Sequence, residues 1–107
     1  MAPSHLPPRD QQGFLLKASD WQPAHAQALV AHLSIRLDDR HFEVIEFLRQ
    51  YYHRYQHLPN GRMFVRALAL QLGDEKGNSL YLNLLFKGQA LKHACLAAGL
   101  PKPPGCL

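Results

Sequence analysis

The sequence predicts a small, mostly α-helical domain with one short candidate strand near its start and an extended arm at its end. Three observations predict it. Apolar residues recur at three- and four-residue spacing through successive segments, as the buried stripe of a helix requires. Cap residues and glycine or proline turns bound those segments. Proline crowds both ends of the 107-residue chain, where regular hydrogen bonding is then disfavoured.

Residues 1–12 (MAPSHLPPRDQQ) read as a loose leader. Gly13-Phe14-Leu15-Leu16 is a short apolar run suited to a strand. Ser19 or Asp20 then caps a helix reaching about residue 33, with Pro23 in its first turn and Ala26, Leu29, Val30 and Leu33 on one face. The clearest helix runs from about 38 to 56. Asp38 or Asp39 caps it, Glu43 complements its dipole, and Phe42, Ile45, Leu48, Tyr52 and Tyr55 form its stripe. Leu58-Pro59-Asn60-Gly61 stops it. A third helix spans about 61–72 and ends at Gly73, a turn follows at Asp74-Glu75-Lys76-Gly77, and Asn78 or Ser79 caps a fourth. Residues 89–98 form an alanine-rich fifth helix ended by Gly99. From Leu100 to Leu107, three prolines and a glycine rule out a helix or a central strand, leaving an extended arm. The organisation is therefore a leader at 1–12, a helical domain at 13–98 and a mobile arm at 99–107.

Composition narrows the function. Apolar residues make up 47% of the chain, enough for one core, and no run approaches the roughly 20 apolar residues of a membrane span. A soluble, cytoplasmic protein with no membrane partner is expected. The formal charge of +4 falls short of a nucleic-acid footprint. No phosphate loop, paired carboxylate set or full metal-ligand set is present, so no cofactor, no metal and no separate catalytic pocket are expected. Among the seven histidines, His53 and His57 have the i, i+4 spacing of a metal pair but no third ligand nearby. They, His25, His32 and His41 are expected at the surface, and His93 is expected to face solvent. Tyr51, Tyr52 and Tyr55 read as core and rim.

The two cysteines are the candidates for chemistry; the plain alternative is an incidental cysteine near the terminus and a small buried residue in an alanine-rich helix. Cys95 lies in the fifth helix and Cys106 near the tip of the arm. The residues between them span roughly 36 Å when extended, whereas a disulfide needs Cα atoms within about 7 Å. The arm thus has an outstretched state with a thiol at its tip and a folded-back state that can cross-link. A slender arm stiffened by prolines loses little entropy on entering another protein's active site. A nearby cation would raise the thiolate fraction, and Arg62, Arg66, Lys92 and Lys102 are candidates. Arg62 and Arg66 lie one turn apart after a turn that suits the second helix of a helix-turn-helix pair, where they read equally as an anion or partner contact and as a solvated face.

Lys76-Gly77-Asn78-Ser79, Tyr81-Leu82, Leu85-Phe86, Ala94-Cys95, Ala98-Gly99-Leu100-Pro101-Lys102-Pro103 and Gly105-Cys106 together resemble the DsrC/TusE family of sulfur-relay proteins. Gly13-Phe14-Leu15, Asp20-Trp21, Phe47-Leu48-Arg49, Tyr51-Tyr52, Pro59 and Arg62 extend the resemblance over about residues 12–107. It implies an α+β fold, mostly α, with a small N-terminal β-meander or hairpin packed on about five helices that include a helix-turn-helix-like pair. It also implies that Cys106 carries the persulfide and that Cys95 is the second thiol of DsrC-type members, a disulfide or trisulfide partner. Leu100, Pro101, Lys102, Pro103 and Gly105 match the family's arm. The implied donor is a complex resembling TusBCD or DsrEFH. The implied acceptor is a tRNA thiolase or a siroheme sulfite reductase, with tRNA met at most indirectly. The sequence departs from the family pattern at Lys87-Gly88-Gln89-Ala90-Leu91, at Pro104 and in its non-acidic leader. The resemblance thus leads to a sulfurtransferase-type carrier. A redox-responsive helix-turn-helix regulator and a non-catalytic docking subunit of a sulfite reductase are the alternatives.

Overall fold

A computed structural model describes residues 5–105. Its centre is the helix with the least side chain. Helix α5 (Ala90–Ala97) is apolar almost all round, and a helix of that kind has to lie inside. Ala94, Cys95, Ala97 and Ala98 are fully buried, and their small side chains let α1 (Ala26–Leu29), α2 (Asp39–Tyr55) and α4 (Ser79–Phe86) pack directly on it. Helix α3 (Gly61–Leu72) completes the array and contributes Phe64 and Leu68 to the same core. The described chain thus holds five α-helices.

The caps behave as their chemistry dictates. Asp38 accepts the amide of Arg40 at the start of α2, and the Arg40 guanidinium beside it holds its carboxyl far below the usual carboxylate range. Asn60 accepts from the Met63 amide to open α3, and Asn78 from the Tyr81 amide to open α4. The turn between α3 and α4 is pinned twice. Lys76 Nζ donates to Glu43 on α2 at 2.6 Å, and Gly77 lies so close to α3 that a β-carbon there would overlap the backbone of Ala69.

Two expectations are corrected. No strand forms among the described residues. Residues 8–16 instead make a tight reversal with a single antiparallel bridge, Arg9 to Leu15. Asp10 organises it, its carboxylate accepting the amides of Gln12 and Phe14. The reversal serves to bury Phe14 and Leu15. The expected helix from Ser19 or Asp20 to residue 33 is broken into 3-10 turns at Ala18–Asp20, Pro23–His25 and Ala31–Leu33 around the single turn of α1. Pro23 is the reason for the first break, because its ring drives the preceding residue out of the helical region and Gln22 is extended at φ −131°. The same apolar positions nevertheless reach the core, with Ala26, Leu29 and Val30 buried.

The histidine expectation fails at two positions. His41 and His93 are both buried. His41 Nδ1 accepts the Asp38 amide at 3.0 Å, which leaves Nε2–H to donate to the Leu85 carbonyl at 2.8 Å. His93 Nδ1 lies 2.6 Å from the Phe86 carbonyl and donates to it. The two rings thereby satisfy the last carbonyls of α4, which end inside the protein and would otherwise lack partners.

Gly77→Ala is expected to lower stability by about 2–3 kcal/mol, since α3 or the turn must shift to admit the methyl. Gly61→Ala is the control. A β-carbon at this first residue of α3 meets nothing within 4 Å, and the change should be neutral or stabilising by up to about 1 kcal/mol. Urea denaturation of both variants measures the contrast.

Candidate functional site

The arm takes its direction from the end of α5. Gly99 adopts the left-handed conformation at φ +68°, and the helix closes with paired reverse bonds. The Leu100 amide donates to the Cys95 carbonyl at 3.0 Å, and the Gly99 amide to that of Leu96 at 3.2 Å. The first arm residue is therefore tied to the residue that carries the inner thiol. Two carbonyls left at the helix end are taken by side chains from far along the chain. Trp21 Nε1 donates to Ala97 at 2.8 Å, and Arg49 donates to Ala98 at 2.8 Å and to Ala18 at 3.2 Å. The Arg49 guanidinium also lies 4.3 Å from the centre of the Trp21 ring. Burial pushes the Arg49 pKa below its ordinary value, but a guanidinium stays charged at any physiological pH. A β-carbon on Gly99 would overlap the Trp21 side chain, so glycine is required there both for its backbone and for its size.

Beyond Gly99 the arm is packed before it is exposed. Leu100 is 1% exposed and belongs to the core, Pro101 is exposed, Lys102 is half-buried and Pro103 is buried. Pro104 and Gly105 are exposed and border a groove of about 390 Å³. The other walls are Gly61 and Phe64 of α3, Ser79, Leu82 and Asn83 of α4, and Gln89 to Lys92 at the start of α5. Asn83 Oδ1 accepts the Ala90 amide at 3.2 Å, joining α4 to the first turn of α5.

Of the expected site residues, Lys92 lines this groove and Gly105 borders it. Cys95 is fully buried in α5, one turn beyond Leu91. Arg62 and Arg66 are exposed on α3 and do not line the groove, although Gly61 and Phe64 of the same helix do. Cys106 lies outside the described residues. Among the described residues no group of three or more His, Cys, Asp or Glu side chains converges as a metal site, and no helix is long and apolar enough to cross a membrane.

Trp21 and Arg49 are the residues that sequence reasoning did not assign. Both stood within recognisable segments, yet their bonds reach Ala97 and Ala98 across 76 and 49 positions. No local periodicity signals such a pairing.

Fold and site together define a small helical protein whose C-terminal segment is clamped at its root and reaches a groove at Gly105, with Cys106 next in the sequence. A family model described as DsrC like protein matches residues 5–107, and the chain belongs to this DsrC/TusE family. It is 45% identical over 98 residues to the Sulfurtransferase TusE of Photorhabdus laumondii, covering 92% of this chain and 88% of that protein. Identity to a Sulfurtransferase TusE homolog of Haemophilus influenzae is 46%, over 92% and 90% of the two chains. The NMR structure of Allochromatium vinosum DsrC superposes with a TM-score of 0.82 at 44% identity, covering 92% of this chain and 88% of that one. The oxidized gamma-subunit of the dissimilatory sulfite reductase from Archaeoglobus fulgidus gives 0.80 at 32% identity, over 100% and 97%.

Trp21→Phe keeps an aromatic ring under Arg49 but removes the donor to Ala97. A loss of about 1–2 kcal/mol is expected, with faster amide exchange at Leu100 than at the core amides of α2. Unchanged protection at Leu100 would show that the indole does not hold the arm's root.

Proposed function

We propose that this protein is a carrier in a cytoplasmic sulfur relay, accepting a persulfide on Cys106 and passing it to an acceptor protein. The observation that carries the reading is the 45% identity, over almost the whole chain, to a protein named Sulfurtransferase TusE, in a chain that ends Gly99-Leu100-Pro101-Lys102-Pro103-Pro104-Gly105-Cys106-Leu107. The transfer is redox-neutral. The Cys106 thiolate attacks the outer sulfur of a donor persulfide, the donor's S–S bond breaks, and the donor thiolate leaves with the electron pair. Delivery repeats the step in reverse, with Cys106 as leaving group. Lys92, which lines the same groove as Gly105, is the cation proposed to favour the Cys106 thiolate.

Cys95 adds a second outcome. When the arm folds over α5, the Cys95 thiolate can attack the inner sulfur of the Cys106 persulfide. A Cys95–Cys106 disulfide forms and hydrosulfide is expelled, again without an external oxidant. Because Cys95 is fully buried, this step also requires the packing around α5 to open locally and uncover the thiol. The proposed donor is a complex resembling TusBCD or DsrEFH, and the proposed acceptor a tRNA thiolase or a siroheme sulfite reductase. A second reading, a docking subunit of a sulfite reductase that transfers no sulfur, is favoured by the likeness to the Archaeoglobus fulgidus gamma-subunit.

Incubation with inorganic polysulfide followed by intact mass measurement separates the two readings. Wild type and Cys95→Ser are expected to gain a sulfur atom that a reductant removes, and Cys106→Ser to gain none. Absence of uptake by Cys95→Ser, or equal uptake by Cys106→Ser, would overturn the carrier reading.

A further inference from the structure

The outer face of α4 is not used by the transfer chemistry. This helix, Ser-Leu-Tyr-Leu-Asn-Leu-Leu-Phe, contains no charged residue. Leu80 and Leu84, one turn apart, are 71% and 74% exposed. Beside them opens a cleft of about 340 Å³ whose walls include Arg36, Arg40, Tyr81, Leu84 and Lys87. Its cations are poorly neutralised from within. Asp38 answers Arg40 at 2.7 Å, while Lys87 Nζ donates to the Ser34 carbonyl at 2.6 Å. Neither Arg36 nor Lys87 has a carboxylate within ion-pair distance among the described residues. The adjoining face of the same helix, through Ser79, Leu82 and Asn83, walls the groove that Gly105 borders.

We infer that this face of α4 docks an acidic amphipathic segment of a partner protein, whose apolar side covers Leu80 and Leu84 and whose carboxylates meet Arg36 and Lys87. Charge complementarity selects an acidic partner. The leucine pair selects protein over nucleic acid: phosphates would satisfy the cations but leave both leucines in water. Of the two aromatic side chains of α4, Phe86 is fully buried and only Tyr81 is partly exposed, so the face offers no row of rings for bases. A partner seated here lies alongside the groove at Gly105, one peptide bond from Cys106. Its use in sulfur transfer rests on the carrier reading, but the docking itself does not.

The test uses the full chain and a fluorescein-labelled synthetic peptide of about 18 residues, with leucine on one helical face and glutamate on the other. A lysine-for-glutamate version and an oligouridylate serve as competing probes. The glutamate peptide is expected to bind, to move the amide resonances of residues 80–87, and to weaken as salt rises. Its affinity should fall about tenfold in Leu84→Glu and again about tenfold in Arg36→Glu with Lys87→Glu. These side chains are exposed, so both variants should keep the wild-type circular dichroism; Leu84→Glu should also keep the melting temperature, while Lys87→Glu lowers it slightly by removing the bond to the Ser34 carbonyl. Resonance shifts confined to other elements, equal binding of the lysine peptide, or indifference to both variants would overturn the inference. Tighter binding of the oligouridylate would overturn it too, assigning the face to nucleic acid. Polysulfide uptake on Cys106, read by mass in the same samples, judges the carrier reading separately and should be unchanged in Leu84→Glu.

Discussion

The C-terminal end of α5 is where the fold and its proposed chemistry meet. A helix that ends inside a protein leaves carbonyls that must find donors or cost free energy. Here the donors are the indole of Trp21 and the guanidinium of Arg49, stacked on each other and both far upstream of α5 in the sequence. Because Arg49 also bonds Ala18, the same contact closes the N-terminal turns against α2. Gly99 is the place where all of this leaves no volume for a side chain. The direction in which residues 100–105 leave the core therefore follows from a contact among three distant segments, and the flexibility of the tail itself does not set it.

The other buried helix end solves the same problem with different residues. Helix α4 finishes at Phe86, and its carbonyls are met by His41 and His93, each a single ring able to donate in the apolar interior. His41 also meets Phe86 edge to face at a centroid distance of 5.1 Å. Histidine suits this position better than lysine or arginine would, because a neutral ring supplies the donor without burying a charge. Between the two helices the loop runs through successive left-handed residues, Lys87, Gly88 and Gln89, with the Gly88 amide donating to the Asn83 carbonyl at 2.7 Å.

Legibility in the sequence followed the range of the interaction. Helices α2 to α5 were readable within a residue or two, because Asn60, Asn78, Gly73 and Gly99 act on their immediate neighbours. The N-terminal third was not. The apolar spacing of Ala26, Leu29 and Val30 correctly marks a buried face, yet spacing does not reveal that Pro23 and the turn at Val30 divide one expected helix into pieces. Nor does a short run such as Phe14-Leu15 distinguish a strand from a reversal held by Asp10. For the site, the cysteines, the arm and Lys92 stood out by type and position. Trp21, Arg49, His41 and His93 did not, since their partners are backbone carbonyls and backbone carries no sequence signature.

Anchoring of the arm sets how far its thiol can travel. With Pro103 seated in the body, the three residues up to Cys106 allow a reach of only about 10 Å from that point. Release at Gly99 would lengthen the reach to roughly 23 Å. It would also expose Leu100, at a cost of about 1.5–3 kcal/mol, and break the amide bond to Cys95. A partner that needs the outstretched arm must therefore provide a replacement for the Leu100 pocket or a comparable gain in contact. Under the proposed carrier role, the burial of Leu100 thus sets the free-energy cost of lengthening the arm.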